Sequence, residues 1–231
     1  MHTPFRRFAI RSVAGFGLFS SVLACTAASA APVLPDPSGA AIVATTAKLD
    51  TAVFAGGCFW GVEAVFRHVR GVTSSVSGYA GGKRARPSYE QVSEGNTGHA
   101  EAVQVIYDPG VVSYGTLLKV FFSVVHNPTE LNRSGPDVGT QYRSAVFTRS
   151  SEQATATKAY IAQLTAASTF REPIVTQVAP LPAFWLAESY HQNYLAGHRT
   201  QPYIVYNDLP KLNALKIQFP QLYREDGIAS K

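Results

Sequence analysis

Cys58 stands in the sequence context that makes a thiol reactive. It follows the glycine pair Gly56-Gly57, and the apolar spacing of residues 59–70 predicts a helix that begins beside it. Free N–H groups and the positive end of a helix dipole stabilise a thiolate. An isolated cysteine is more often a small buried apolar residue, but such a residue does not need two preceding glycines, which cost backbone entropy. The pattern therefore predicts a nucleophilic thiol with a lowered pKa.

Glu101 is the candidate acid. It lies in the run Gly98-His99-Ala100-Glu101-Ala102-Val103, among small and apolar residues beside a glycine turn. If it faces the interior, burial raises its pKa above the usual value of about 4.3 and keeps the carboxyl protonated. The alternative is an exposed glutamate on an edge strand. The apolar neighbours favour the buried interpretation, in which the carboxyl can donate a proton.

Two tyrosines accompany these groups. Tyr89 follows the pair Gly81-Gly82 in a long loop, and Tyr142 lies in Gly139-Thr140-Gln141-Tyr142-Arg143-Ser144. Phenol hydroxyls are directional hydrogen-bond donors on an apolar body. Since the chain has 11 tyrosines, residue type alone also fits packed aromatic side chains. We expect both phenols to reach one pocket.

The order of secondary-structure elements predicts the fold that must position these residues. We predict strands at 51–55, 72–79, 100–107, 144–148 and 174–178, and helices at 59–70, 113–126, 150–167 and 188–195, with a loop at 80–98. The repeated β-α-β order is typical of an α+β fold with a ferredoxin-like split βαβ core, an antiparallel or mixed sheet with helices on one side. From Thr200 onward, aromatic residues among prolines and charges predict an extended C-terminal tail.

Residues 1–30 have the features of a secretory signal. A basic start with three arginines precedes the apolar run 12–24 and the small-residue site Ala28-Ser29-Ala30. Val22-Leu23-Ala24-Cys25 resembles a lipoprotein processing site, and Arg6-Arg7 partly matches a twin-arginine signal. A disordered segment or a mitochondrial presequence is the alternative. We expect an exported, periplasmic protein whose signal segment is cleaved or of the lipoprotein type. It contacts a membrane only if Cys25 is lipidated.

Residues 31–47 are rich in alanine and proline and predict a linker, followed by a domain at 48–231. About 180 residues suffice for one domain with a single core. Without the three arginines of the signal, 17 basic side chains face 15 acidic ones. This balance does not indicate a nucleic-acid partner.

Five segments together resemble peptide methionine sulfoxide reductases of the A type. They are Gly56 to Glu63, Gly78-Tyr79-Ala80-Gly81-Gly82, Gly98 to Val103, Tyr107-Asp108-Pro109 and Gly139 to Ser144. The resemblance covers nearly the whole domain, and motifs of this length are specific. It implies an enzyme that reduces the S epimer of methionine sulfoxide, free or in peptides and proteins. It also implies a ferredoxin-like core that uses no metal and no organic cofactor.

The same resemblance implies the catalytic roles. Cys58 is the nucleophile and Glu101 the acid that protonates the sulfoxide oxygen, while Tyr89 and Tyr142 donate hydrogen bonds to that oxygen. The chemistry is coherent, because the oxygen leaves only when protonated while a thiolate attacks sulfur. Acid and nucleophile therefore need opposite pKa shifts.

Substrate binding is implied for three further residues. Phe59 and Trp60 are expected to hold the methyl group of the substrate, and Asp137 its main chain. The sequence departs from the family at Asn127, where the family often has Asp, and at Pro136, where Asn often precedes the Asp. Neither position takes part in the expected chemistry.

Regeneration of the thiol requires a second molecule. Many family members use a resolving cysteine, but no cysteine follows Cys58, and Cys25 lies in the predicted signal. Attack on a sulfoxide leaves a sulfenic acid, which must then condense with an external thiol. We predict a thioredoxin-like or glutaredoxin-like protein, or a small thiol, as the reductant.

Other interpretations remain open at this point. A thiol hydrolase or acyltransferase could use His99 or His191 as its base, and a thiol peroxidase would use the same nucleophile on peroxides. A non-enzymatic module could bind apolar peptide side chains through aromatic residues, namely Phe59, Trp60, Phe184 and Trp185. The histidines lack the paired spacing of metal ligands.

Overall fold

A six-stranded sheet lies at the centre of the computed structural model, which describes residues 34–39 and 48–228. The main strands are β1 (Asp50–Gly56), β2 (Val72–Ala80), β3 (Ala100–Tyr107), β6 (Ser144–Thr148), β7 (Gln177–Pro180) and β8 (Phe184–Leu186), and a separate pair is formed by β4 (Arg133–Ser134) and β5 (Asp137–Val138). The α-helices are α1 (Phe59–Arg67), α2 (Tyr89–Ser93), α3 (Tyr114–Val120), α4 (Ser151–Ala166), α5 (Tyr194–Gly197) and α6 (Leu209–Gln218).

The strand order brings the cysteine turn next to the strand that carries Glu101. The sheet runs β7-β6-β1-β3-β2-β8, and all neighbours are antiparallel except the parallel pair β6 and β7. In the β1–β3 ladder, Phe54 faces Val103. Continuing this register by two residues brings Gly56 level with Glu101. Two segments that are far apart in sequence therefore meet at one end of the sheet.

The two faces of the sheet are packed differently. On one face, the ring of Phe54 stacks on Phe66 at 4.9 Å and on Phe121 at 5.0 Å, within the main core under the helices. Its neighbours Val53 and Ala55 point to the other face, where a smaller cluster consists mostly of alanine. This alternation follows from the two-residue period of a strand. The large aromatic core anchors α1, whose first turn carries the candidate nucleophile.

The prediction of an α+β fold with a mixed sheet is confirmed, but the expected extended C-terminal tail is wrong. A π-helical turn at Ile204–Asp208 continues directly into α6. Leu212 and Leu215 are buried at helical spacing, and a proline lies in the first turn, where its missing N–H costs nothing. The prolines and charges that suggested a tail therefore belong to a helix that packs on the core.

Smaller differences affect the connections. The predicted loop 80–98 contains α2, which begins with a capping box at Ser88 and Gln91. The predicted helix 188–195 divides into the 3-10 turn Ser189–His191 and α5, and the predicted strand 174–178 lies a few residues later as β7. The sequence analysis missed β8, because its three residues are held by pairing with β2.

Part of the predicted linker is described and contacts the domain. Leu34 is buried, the Tyr160 hydroxyl donates to the Pro35 carbonyl at 2.8 Å, and Lys119 pairs with Asp36 at 2.7 Å. The predicted signal at residues 1–30 and the rest of the linker lie outside the described residues. Within the described ranges, none of the helices combines the length and the hydropathy of a membrane span.

Candidate active site

The turn between β1 and α1 requires both of its glycines. A Cβ on Gly56 would lie 2.9 Å from a methyl group of Val125. Gly57 has φ +91°, and a Cβ there would lie 2.4 Å from the Ser134 hydroxyl. Positive φ and such close contacts exclude larger residues. The pair therefore lets β1 turn sharply into α1 and places Cys58 at the N-cap of the helix.

Cys58 is nearly inaccessible, and the prediction of a lowered pKa is wrong for this state. The residue is 7% exposed, and burial raises the pKa of its thiol well above the usual range. Negative charge on Glu101 and then on Asp208 raises the pKa further, against a hydrogen bond from the Trp60 N–H and the charge of Lys211. Loss of hydration outweighs the helix terminus here. The resting group is a protonated thiol.

The prediction of a buried, neutral Glu101 is confirmed. The residue is 3% exposed, and burial raises the pKa of its carboxyl to about 8. The Phe59 N–H donates to Glu101 Oε2 at 2.9 Å, so the first free N–H of α1 binds the carboxyl. At neutral pH the carboxyl keeps its proton while Oε2 accepts this hydrogen bond. A carboxylic acid and a thiol thus share one helix terminus.

Tyr89 and Tyr142 share the electrostatic surroundings of that pair. For each phenol, burial is the main cause of a raised pKa, and the charge of Glu101 is the second. Negative charge on Tyr89 or on Cys58 raises the pKa of Tyr142 further. Tyr89 begins α2, where its N–H donates to Glu188 Oε1 at 2.9 Å. Both predicted tyrosines therefore lie within electrostatic range of the Cys58–Glu101 pair.

Phe59 and Trp60 have different environments. Phe59 is 1% exposed, and its ring packs 5.0 Å from His191, so it forms the inner wall of the site. Trp60 is half-buried, stacks on Tyr194 at 3.8 Å, and donates from Nε1 to His191 Nδ1 at 3.1 Å. The indole is thus fixed by two contacts and remains partly exposed.

Asp137 lies at the edge of a cavity of about 270 Å³. Its carboxylate accepts a hydrogen bond from the Tyr203 hydroxyl. The Tyr203 ring in turn meets Trp60 edge-on at 6.0 Å. Tyr203 and Lys211 line the same cavity. The anchoring residue named in the sequence analysis is therefore held by a C-terminal residue that was not named as part of the site.

The sequence analysis missed the residues that surround the site from the C-terminal third of the chain. Glu188 accepts from the Tyr79 hydroxyl at 2.8 Å as well as from the Tyr89 N–H. Asp208 and Lys211 contribute charge beside Cys58. Proline is common in the first turn of a helix, and Pro210 could therefore have indicated α6.

Neither candidate histidine is placed to act as the base of a hydrolase. His99 Nδ1 accepts from the Gly82 N–H at 3.1 Å, and Nε2 contacts the Arg84 carbonyl at 2.8 Å. The lone pair of His191 Nδ1 is taken by Trp60. Each ring has one lone pair when neutral, so neither has one left for the thiol. Among the described residues, no three His, Cys, Asp or Glu side chains form a group able to hold a metal ion.

Comparison with known proteins places the chain among sulfoxide reductases. Residues 50–222 match the family model for peptide methionine sulfoxide reductase. Peptide methionine sulfoxide reductase MsrA 2 of Mesorhizobium japonicum is 54% identical over 179 residues, covering 78% of this chain and 92% of that protein. The protein of the same name from Synechocystis is 49% identical over 189 residues, 81% and 88% of the two chains.

Two solved structures are similar in fold and sequence. Methionine sulfoxide reductase A of Corynebacterium diphtheriae superposes with a TM-score of 0.58 at 34% identity, covering 73% of this chain and 85% of that chain. Mxr1 from Saccharomyces cerevisiae in its reduced form gives 0.59 at 33% identity, covering 69% and 91%.

Proposed function

The chain belongs to the peptide methionine sulfoxide reductase family, an oxidoreductase family, and from that premise we propose that Cys58 and Glu101 reduce the S epimer of methionine sulfoxide. The observation that carries this assignment is the Phe59 N–H bond to Glu101, which joins a neutral acid to the helix terminus that carries the only cysteine among the described residues. Free, peptide-bound and protein-bound methionine sulfoxide are the substrates.

Polar side chains bind the oxygen and the main chain of the substrate, and aromatic side chains bind its methyl group. Tyr89 and Tyr142, neutral because their pKa values are raised, donate hydrogen bonds to the sulfoxide oxygen. The aromatic faces of Phe59 and Trp60 contact the methyl group. Asp137, fixed by Tyr203, accepts from the main chain of the substrate. Hydrogen bonds to one side of the sulfur and apolar contact on the other distinguish the two epimers.

The chemical step moves one oxygen and two electrons. Glu101 donates its proton to the sulfoxide oxygen, and Cys58 attacks the substrate sulfur as its own proton returns to Glu101. The attack forms a bond between Sγ of Cys58 and the substrate sulfur, and the hydroxyl then passes from the substrate sulfur to Sγ as the S–S bond and the substrate S–O bond both break. The products are a thioether and a sulfenic acid, so the cysteine sulfur loses the two electrons that the substrate gains. The resting thiol supplies the two electrons, and the thiol and the neutral acid supply the protons that the step moves.

Recovery of the thiol then depends on an external reductant. A thiol from a thioredoxin-like or glutaredoxin-like protein, or from a small molecule, attacks the sulfenic sulfur and releases water. A second thiol resolves the mixed disulfide. The position of Cys58 as the free cysteine of the described chain supports this route.

Two further proposals concern the setting of the enzyme. The strand order β6-β1-β3-β2, with α1 and α3 as the crossovers, supports a ferredoxin-like core. The basic and apolar N-terminal sequence supports export to the periplasm, where the enzyme repairs exported proteins, with lipid attachment if Cys25 is acylated.

The decisive experiment offers each epimer of a methionine sulfoxide to the purified protein with dithiothreitol. The S epimer should be consumed and the R epimer spared. Reduction of neither, or of R alone, would overturn the assignment. A single turnover without reductant should leave a dimedone-trapped sulfenic acid on Cys58, retained in Cys25→Ser and absent in Cys58→Ser. An intrachain disulfide instead would contradict the external-reductant route.

A further inference from the structure

A buried ion pair lies at the start of α6. Asp208 Oδ1 and Lys211 Nζ are 3.2 Å apart, and the side chain of Asp208 is 0% exposed while that of Lys211 is 17% exposed. Asp208 Oδ2 makes no hydrogen bond among the described residues. Burying such a pair costs desolvation, and apolar residues of the same size are often at least as stabilising. Stability alone therefore does not account for the pair.

The pair contacts α1, the helix that Cys58 caps at its N-terminus. A Cβ on Gly61 would lie 2.1 Å from Asp208 Oδ1 and 3.1 Å from Lys211 Nζ. Gly61 is three residues after Cys58, and positions three apart share a helix face. The absence of a side chain at Gly61 is thus what allows both charges to reach the first turn of α1. From that turn their charges act on the thiol.

The groups that face the thiol differ in their charge at neutral pH. The carboxyl of Glu101 is neutral there, because its pKa is about 8. The phenols near the site, Tyr89, Tyr142 and Tyr203, are neutral because their pKa values are raised. Asp137 is bound by Tyr203 and is not among the main influences on Cys58. Burial raises the pKa of the Asp208 carboxyl, and its ion pair with Lys211 opposes that rise. As an ion pair, Asp208 and Lys211 are the charged groups that act on the thiol at neutral pH.

We propose that Asp208 and Lys211 are positioning residues that set how readily Cys58 loses its proton. The ammonium of Lys211 favours the thiolate, and Asp208 opposes it while holding the ammonium against α1. The directions of the two influences on the pKa of Cys58, upward from Asp208 and downward from Lys211, agree with this division. The inference rests on Cys58 being the nucleophile of the proposed function, but it concerns ionisation and not turnover.

The test measures alkylation of Cys58 by iodoacetamide between pH 6 and 10, followed by mass spectrometry of the Cys58 peptide. At pH 7.5 we expect Asp208→Asn to react about 3- to 10-fold faster than the unchanged protein and Lys211→Met about 3- to 10-fold slower. Lys211→Arg keeps the charge and should stay within about twofold. General loosening of the fold would shift both variants in the same direction, so opposite signs identify the electrostatic role.

The exposed pair Lys216 and Glu225, at 2.8 Å, supplies the matched control. Lys216→Met and Glu225→Gln should leave the alkylation profile unchanged. Equal profiles for all variants, or shifts of the same sign for Asp208→Asn and Lys211→Met, would overturn the inference. If Asp208→Asn does not fold, the contrast between Lys211→Met and Lys211→Arg decides alone. Shifts of the expected sign in a protein that reduces no sulfoxide would refute the proposed function and leave this inference intact.

Discussion

The β1–α1 turn and the C-terminal cover, by which we mean residues 203–211, affect the same thiol in different ways. In the turn, positive φ at Gly57 and the start of α1 at Phe59 position Cys58 through neighbouring residues. In the cover, Tyr203 and Asp208 reach the site from more than 140 residues further along the chain. The first region decides where the sulfur lies, and the second contributes to how easily it ionises. Position is a local property here, whereas ionisation is a tertiary one.

The largest expected effect tests the acid that links the two regions. Glu101→Gln removes the proton donor but keeps an acceptor for the Phe59 N–H, so the fold should persist. We expect kcat/KM for the S epimer to fall by about 10²- to 10⁴-fold, the usual contribution of general acid catalysis. Steady-state kinetics measure it, with the exposed Glu94→Gln as the control. Retention of activity in Glu101→Gln would mean that another group protonates the oxygen.

The next effect tests the local turn. Gly57→Ala forces an alanine into φ +91° and against Ser134. We therefore expect the free energy of unfolding to fall by about 2–4 kcal/mol. Gly135→Ala is the matched control, because Gly135 also has positive φ, +57°, but meets nothing within 4 Å. It should lose about 1 kcal/mol. Urea unfolding measures both, and equal losses would remove the claimed crowding by Ser134.

The pH dependence tests the coupling of acid and thiol. In the proposed step both Glu101 and Cys58 start protonated, which is the state of the pair below pH 8. We expect kcat/KM to stay level at lower pH and to fall as the Glu101 proton leaves near pH 8, because the carboxylate can no longer protonate the sulfoxide oxygen. Profiles between pH 5.5 and 10.5 measure this. A flat profile across pH 7–9 would contradict the raised pKa of Glu101.

The smallest expected effect tests the C-terminal cover. Tyr203→Phe removes the hydrogen bond to Asp137 but keeps the ring against Trp60. We expect KM for a peptide substrate to rise about 3- to 10-fold, with kcat changed less, as for the loss of one hydrogen bond. Tyr206→Phe, three residues later in the adjoining π-helical turn and 78% exposed, should have no effect. Equal KM values in the two variants would show that Tyr203 does not orient Asp137.

Short-range patterns in the sequence predicted much of the fold and of the site. Period-two and helical spacings predicted the main strands and the helices that flank them, because each reports which face of an element is buried. The burial of Glu101 followed from its small apolar neighbours and is confirmed. Patterns failed where an element is held by distant contacts. The strand β8 depends on pairing with β2, and α6 depends on burial of two leucines against the core.

The amino-acid sequence by itself determined that Cys58 follows a glycine turn at a helix start, and that an acid lies in a buried strand. Both are consequences of backbone conformation and side-chain polarity over a few residues. Only the tertiary structure decided that the thiol is protonated at rest. Its pKa depends on lost hydration and on the charges of Glu101, Asp208 and Lys211, and these groups meet only after the chain has folded.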